Sequence, residues 1–178
     1  MEQLNKTVQF TNKEVFFNDD DFIVTKTDLK GKITYCNRSF MRIVNTPWKN
    51  LIGQHHNIIR HPNMPKTAFY NLWQTLKNGD EWFGFVKNMT ANGSFYWVFA
   101  NVTIDKRNGE PIGYYSVRRP APREALKVIE PLYAELNSIE SKQGMQASIN
   151  YLNGILEKNN TNYQDFILDL YFKNIQGA

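Results

Sequence analysis

Five side chains able to hold an anion or a polar ring lie within nine positions of each other: His55, His56, Arg60, His61 and Asn63. The planar fork of donors on an arginine suits a pyrophosphate, and histidines donate to phosphate or to ring oxygens. The spacing does not predict a metal site, because the three histidines share one loop without a cysteine or a nearby carboxylate. One histidine can ligate haem. A haem site and a polar loop packed by its prolines therefore stay open as alternatives.

A second candidate site follows from the alternation of side chains along a strand predicted over residues 81–90. One face of this strand carries Trp82, Gly84, Val86 and Asn88. Such a face suits a planar heteroaromatic ligand, because Trp82 would stack on the ring, Gly84 would leave room for it and Asn88 would pair with its amide edges. A core face that ends in one satisfied asparagine is the alternative.

The rest of the composition argues against several classes of function. No hydrolase, P-loop or dinucleotide-binding motif occurs, so the sequence predicts no enzyme. The net charge is +4, but the basic residues are scattered, which argues against nucleic acid as a partner. The single cysteine, Cys36, fits a reducing cytoplasm. The polar N-terminus does not predict a secretory signal, and no stretch is apolar over the length of a membrane span.

Two strands, several short helices, one longer helix and a three-stranded meander position these residues. Turn signals at Gly31, Asn92-Gly93 and Asn108-Gly109 separate the strands. The longer helix, residues 66–77, has apolar residues at helical spacing, and its Trp73 would line the wall of the pocket. The order predicts an α+β fold, with a five-stranded antiparallel sheet and helices on one face.

Changes in polarity and in the spacing of apolar residues divide the chain into three parts. Residues 1–20 predict an N-terminal cap, whose apolar Val15-Phe16-Phe17 docks on the domain that follows, residues 21–120. Residues 121–178 predict a tail of three amphipathic helices, the first bent at Pro131. The apolar stripes of the tail would pack on the domain, on a second copy of the chain or on a transducer.

The segment His56–Lys66 reads HNIIRHPNMPK and resembles the HN-hydrophobic-hydrophobic-RHPDMPK run of PAS domains in aerotaxis receptors. The resemblance extends without gaps over about residues 21–136. The matching residues include Thr27-Asp28-Leu29, Asn37, Phe40, Trp73-Gln74-Thr75-Leu76-Lys77, Trp82, Gly84-Phe85-Val86-Lys87-Asn88, Asn92-Gly93, Tyr96-Trp97-Val98, Ala100-Asn101, Gly113-Tyr114, Ser116, Arg118 and Glu130-Pro131-Leu132-Tyr133.

This resemblance implies a PAS fold and non-covalently bound FAD, whose redox state sets the signalling state. The positions of Arg60, His61 and Asn63 match family positions needed for cofactor binding, and His56, Trp73, Trp82 and Asn88 complete the expected site. The family has Asp where this chain has Asn63, so flavin affinity or potential is expected to differ. Cys36 ends a strand away from the flavin, which argues against the covalent photochemistry of light-sensing LOV domains.

The resemblance also implies partners. The chain is similar to stand-alone energy-taxis PAS proteins of the CetB type, which work with a separate membrane-bound transducer of the methyl-accepting class. We therefore expect a cytoplasmic sensor, associated with the membrane only through its partner. A homodimer through the N-terminal cap or the tail helices is a second mode of association. A haem-binding gas sensor, a cofactor-free interaction module and a flavoenzyme, for which no substrate residues are found, are the alternative functions.

Overall fold

The computed structural model describes residues 10–18 and 20–175. Five strands form one antiparallel sheet in the order β2-β1-β5-β4-β3, which confirms the predicted α+β fold. The strands are β1 Ile23–Asp28, β2 Ile33–Cys36, β3 Trp82–Met89, β4 Phe95–Arg107 and β5 Glu110–Pro120. The α-helices are α1 Arg38–Val44, α2 Trp48–Leu51, α3 Lys66–Lys77, α4 Arg123–Gln143, α5 Met145–Lys158 and α6 Tyr163–Ile175, and a 3-10 helix covers His56–Ile59.

The β1–β2 hairpin is closed by an aspartate and a glycine. The Asp28 side chain accepts from the backbone amides of Lys30 and Lys32 at 2.8 and 2.9 Å. Gly31 has a φ of +76°, a conformation that other residues rarely adopt. This turn sets the register that places Thr25 opposite Cys36.

Asn37 fixes the point at which the chain leaves β2 and enters α1. Its Oδ1 accepts from the Phe40 amide at 3.0 Å, the geometry of a helix N-cap. The same side chain reaches back to β1, where it accepts from Val24 and donates to the Phe22 carbonyl. One side chain therefore ties the first helix to the first strand.

Helices cover both faces of the sheet. We call the face that contacts the helical layer α1–α3 the inner face, and the opposite face the outer face. The tail folds back onto the outer face, where the Tyr171 ring of α6 stacks on Phe99 at a centroid distance of 3.8 Å and the Tyr133 ring of α4 approaches Trp97 at 6.1 Å. Core residues of the tail and the sheet form one hydrophobic cluster. None of the helices in the described part of the chain has the length and apolar character of a membrane span.

The described part of the N-terminal cap runs beside the β3–β4 hairpin. Val15 donates to the Phe95 carbonyl at 2.7 Å, and Phe95 donates to the Lys13 carbonyl at 3.0 Å. Val15 and Phe17 pack against the core, whereas Phe16 is 70% exposed. Residues 1–9 and 19 of the predicted cap lie outside the described residues.

β2 and β3 are the edge strands of the sheet, and loops hydrogen-bond to main-chain groups of these strands that point away from the sheet. At β2, Ile33 exchanges hydrogen bonds with Gln54 and Gly53 at 2.8 Å each. At β3, the backbone amide of His61 donates to the Lys87 carbonyl, and the Lys87 amide donates to Met64 Sδ. The line along which residues 61–65 meet β3 is called the seam below, because the helical layer and the sheet join there.

Asn37→Ala removes the N-cap of α1 and its side-chain bonds to Phe22 and Val24 at the start of β1. We expect a loss of about 1–2 kcal/mol in the free energy of unfolding. Asn50→Ala, at an exposed position of α2, is the matched control and should change it by less than about 0.5 kcal/mol. Urea unfolding followed by circular dichroism measures both, and equal midpoints for the two variants would contradict the role of Asn37.

Candidate functional site

The inner face contains an unusually polar strip at its centre. Two rows of residues lie in register across β1, β5, β4 and β3. The first row is Ile23, Arg118, Ala100 and Gly84, and the second is Thr25, Ser116, Val102 and Trp82. The strip places an arginine, two hydroxyls and an indole beneath the helical layer.

Arg118 is the centre of this strip. It is 5% exposed, and its Nη2 donates to Thr25 Oγ1 at 2.8 Å and lies 2.9 Å from His56 Nε2. Nη1 has no hydrogen-bond partner among the described residues, and no carboxylate there forms an ion pair with it. Burial lowers the pKa of the guanidinium to about 10. A buried cation without a counter-ion costs free energy.

His56 connects the arginine to the helical layer. Its Nε2 also lies 3.1 Å from Thr25 Oγ1, and its ring lies 5.8 Å from that of Phe40 in α1. Part of the residue reaches the surface, but the ring nitrogen faces the interior. Burial and the charge of Arg118 hold the pKa of this imidazole well below its usual value. The ring is therefore neutral, and Nε2 is the acceptor for Arg118.

Further polar atoms of the inner face have no partner. Tyr96 Oη, Ser116 Oγ and Thr27 Oγ1 are buried and form no hydrogen bond in the described structure. Burial raises the pKa of Tyr96, so the phenol is a neutral donor. Asn88, 4% exposed, faces Tyr96 across the β3–β4 ladder. The interior therefore contains several hydrogen-bond donors and acceptors that no other described group of the protein satisfies.

The structure corrects the expected role of Gly84. A Cβ at this position would lie 2.0 Å from Cη2 of Trp82, so the space above the glycine holds the Trp82 indole rather than a ligand ring. Trp82 is 2% exposed, and its Nε1 donates to Asn71 of α3 at 2.9 Å. Its ring lies nearly parallel to that of Tyr163 in α6, at 6.3 Å. Trp82 thus contacts the helical layer and the tail.

The loop before α3 brings Arg60 and His61 to the end of β3, but not Asn63. The Arg60 guanidinium donates to the Met64 carbonyl at 3.0 Å and stacks 3.9 Å from the Phe69 ring centre. Burial lowers its pKa, and the charge of Glu140 opposes the shift. The Asn63 side chain is exposed and makes no hydrogen bond within the described residues. It neither pairs with Arg60 nor caps α3.

His61 lies on the opposite side of this loop from Arg118. Its Nδ1 accepts from the Asn63 amide at 3.0 Å, and its ring packs 5.9 Å from Phe95. Burial, with a smaller contribution from Lys87, lowers the pKa of the ring to about 4. His61 is therefore separated from His56, although both lie in one sequence cluster.

Trp73 does not line the interior. It is 42% exposed and meets Tyr114 edge-on at 5.2 Å, at one end of the domain. The two residues border a surface cleft of about 540 Å³ between α3 and the sheet. A second cleft of about 750 Å³ lies on the outer face, between the N-terminal cap, α4 and α6, and includes Trp97. Neither cleft is lined by Arg118, His56 or Asn88.

Motifs and spacing in the sequence do not single out Arg118, Ser116, Tyr96 or Thr25 as site residues. The alternation of β5 carried the relevant signal, because Ser116 and Arg118 share one face. Hydrophobicity assigns that face to solvent and Tyr115 and Val117 to the core. The structure shows the reverse, with Ser116 and Arg118 buried and Tyr115 and Val117 only partly so.

Comparisons with known proteins agree with this fold. A family model described as PAS fold matches residues 33–118. The chain is 44% identical over 120 residues to the aerotaxis receptor of Escherichia coli (strain K12), covering 67% of this chain and 24% of the receptor. It is 27% identical over 97 residues to a nitrogen fixation regulatory protein of Klebsiella pneumoniae, covering 54% and 20%. The chain thus spans about a quarter or less of the length of these relatives.

Solved structures show the same fold. A PAS domain from Colwellia psychrerythraea superposes with a TM-score of 0.51 at 19% identity, over 56% of this chain and 85% of that one. A light-oxygen-voltage domain examined with a flavin analogue superposes with a TM-score of 0.54 at 17% identity, over 66% and 87%.

Gly84→Ala places a methyl group inside the Trp82 indole and must displace it. We expect a loss of about 1–3 kcal/mol in the free energy of unfolding, with a red shift of tryptophan fluorescence. Gly154→Ala is the control, because a Cβ there meets nothing within 4 Å inside α5. It should stabilise the protein by about 0.5–1 kcal/mol. Loss of stability in both variants to the same extent would refute the packing of Trp82 on Gly84.

Stability should fall as the pH drops from 7 to 5, because His56 and His61 are both held neutral in the folded chain. The pKa of His56 is lowered on folding, so its contribution is complete above the unfolded value of about 6.5 and is lost as pH falls towards the folded value. We expect a decrease of about 1–2 kcal/mol that is reduced in His56→Gln but retained in the exposed control His55→Gln. Denaturant titrations at several pH values measure it, and equal slopes in both variants would exclude His56 as the cause.

Proposed function

Residues 33–118 form a PAS domain similar to that of the aerotaxis receptor, and on this basis we propose that the chain is a redox sensor. The proposed cofactor is non-covalent FAD, held between the inner face and the helical layer. Its redox state would be passed to a membrane-bound chemotaxis transducer from the cytoplasm. Similarity to sensory receptors is consistent with a protein that is not an enzyme.

The observation that carries this proposal is the unsatisfied polar strip around Arg118. Arg118 Nη1 and the Ser116 and Tyr96 hydroxyls are buried without hydrogen-bond partners of normal geometry, and the Thr27 hydroxyl lies unpartnered further along the same face. A planar ring with several carbonyl and nitrogen acceptors along one edge would use these donors, and apolar Phe40 and Val86 would contact its faces. The residues present therefore fit a flavin, with Asn88 as a further amide partner.

Three groups of residues divide the task of binding. Arg118 and Asn88 would hold the polar edge of the ring, and His56 orients Arg118 through its Nε2 acceptor. Trp82 closes the interior at β3, fixed by its bond to Asn71. Arg60, at the end of the same strand, would face the pyrophosphate, whereas His61 lies on the opposite side of this loop and would support its fold.

A bound flavin supplies reversible uptake of electrons, with negative charge or protons gained at its polar edge. Arg118 would stabilise negative charge placed beside it, because its own charge has no counter-ion within the described structure. His56 cannot share that task as a cation, since burial and Arg118 keep it neutral. Negative charge placed in the site would therefore be stabilised by one fixed cation, Arg118, and by neutral hydrogen-bond donors.

A ring bound beside Arg118 would press on the contacts between the helical layer and the sheet. Neither of the two clefts described above is lined by Arg118, so the ring would lie deeper, between the layers themselves. The His56–Thr25 contact and the Trp82–Asn71 bond lie directly between these layers. Cofactor occupancy is therefore expected to change the spacing between the layers.

The geometry favours a flavin over haem. Nε2 of His56 is engaged by Thr25 and Arg118, and His55 is exposed on the surface. His61 packs against Phe95 with Nδ1 bonded to the Asn63 amide. No histidine of the loop therefore presents a free ring nitrogen to the interior strip.

Visible absorption of the purified chain tests the cofactor directly. We expect the two bands of an oxidised flavin, bleached by dithionite and restored by air, and release of FAD on denaturation. Release of FMN alone would correct the cofactor to the mononucleotide. A Soret band would replace the flavin by haem, and a colourless protein that takes up no added FAD would refute the proposal.

Arg118→Met should bind flavin at least about ten-fold more weakly, because it removes a charge-assisted donor. The chain should still fold, since replacing a buried charge by an apolar side chain of similar length is often neutral or stabilising. Arg119→Met, at the exposed neighbouring position, is the control and should bind normally. Flavin titration followed by fluorescence quenching measures both, and equal affinities would exclude Arg118 from the site.

A further inference from the structure

Helix α4 is bonded to both layers that enclose the Arg118 strip. Residues at positions i, i+4 and i+7 share one face of a helix, and here these are Tyr133, Asn137 and Glu140. The buried Tyr133 hydroxyl donates to the Phe85 carbonyl of β3 at 2.9 Å. Asn137 Nδ2 donates to the Asn63 carbonyl at 2.6 Å. The first bond holds the sheet, and the second holds the loop that leads into α3.

Glu140 makes the most extensive of these contacts. Its two carboxylate oxygens accept from the amides of Lys66 and Thr67 at 3.0 and 2.7 Å, and Thr67 Oγ1 lies 2.8 Å away. These amides are the unsatisfied donors at the start of α3, and Pro65 at the capping position has no side-chain acceptor for them. A glutamate of the tail therefore caps a helix of the sensor domain.

The cap is extended into the next tail helix. Ser148 of α5 is fully buried, and its Oγ lies 2.8 Å from Thr67 Oγ1 and donates to the Leu136 carbonyl of α4 at 3.2 Å. The start of α3 is thus in contact with α4 and α5 together. Movement at the start of α3 cannot leave this junction unchanged.

We propose that the segment Tyr133–Glu140, the α4 strap, crosses the seam and reports the spacing between the sheet and the helical layer to the tail. Glu140 is its positioning residue. The inference rests on the proposed function, because the ligand that changes the spacing is the cofactor beside Arg118. Tyr133 holds the strap to β3, so a displacement of α3 must bend or release the strap at Glu140.

The coupling works in both directions. If the state of the cofactor changes the affinity of the strap for α3, breaking the strap must change the equilibrium of the cofactor by the same free energy. The tail then has two arrangements, one capping α3 and one released. A partner that binds only one arrangement of the tail would therefore respond to the state of the cofactor without contacting the cofactor site.

Hydrogen–deuterium exchange on the 178-residue chain tests the strap without reference to the cofactor. Glu140→Ala should raise the exchange of amides in the first turn of α3 and in α5 by about five-fold, the effect of a lost helix cap. Glu135→Ala removes a carboxylate from an exposed position of the same helix and should change neither. Glu140→Gln, which keeps an acceptor oxygen, should fall between the two. Equal exchange in Glu140→Ala and Glu135→Ala would overturn the strap.

The second arm uses flavin-loaded protein before and after reduction by dithionite. In the wild type and in Glu135→Ala, reduction should change exchange in α4 and α5. In Glu140→Ala this response should be lost, while reduction still alters exchange over residues 56–60. A tail that responds equally in Glu140→Ala, or that never responds in the wild type, refutes the strap alone. A protein that binds no flavin in the absorption test refutes the proposed function and the reporting role together.

Discussion

The guanidinium of Arg118 is the constraint on which the interior depends. It lies in the middle strand of the sheet, below the helical layer, with no carboxylate paired to it in the described structure. Neutral groups surround it instead: the Thr25 hydroxyl and the His56 ring as acceptors, and the Phe40 ring 6.0 Å away. Such an arrangement leaves a positive potential inside the protein, which a carboxylate partner would have cancelled. In the proposed function, this potential would stabilise the negative charge that a reduced cofactor gains.

The tail packs against the sensor domain and supplies hydrogen bonds and aromatic contacts that the domain lacks by itself. α3 begins without an acceptor of its own, and the carboxylate that satisfies its first amides comes from a residue more than seventy positions later in the chain. Tyr163 and Tyr171 of α6 add aromatic contacts to Trp82 and Phe99, one at each face of the sheet. The three parts recognised in the sequence therefore share one core. Separating the domain from its tail would expose both the outer face and the start of α3.

Local signals made most of the fold predictable. Asn37 as a helix cap, Gly31 in a hairpin turn and the apolar stripe of α3 are each decided by residues within a few positions of one another. The polar strip was harder to predict. Arg118 is buried although a charged side chain is expected at the surface, and it hydrogen-bonds to residues more than sixty positions away in the sequence. Gly84 was predicted to leave room for a ligand ring, but the indole of Trp82, from two residues earlier, fills that space. The contacts of Glu140 depend on the path of α4 across β3, which no periodicity in the sequence reveals.

The bonded edges of the sheet decide how the chain can associate. An open edge strand is a template on which another chain adds its own strand, and that growth has no natural end. Here the outward amide and carbonyl of Ile33 in β2 and of Lys87 in β3 are already bonded to the chain's own loops, and the Phe85 carbonyl of β3 accepts from Tyr133. Less of either edge is therefore open to a strand from another chain. These bonds oppose the edge-to-edge growth by which sheets extend from one molecule to the next.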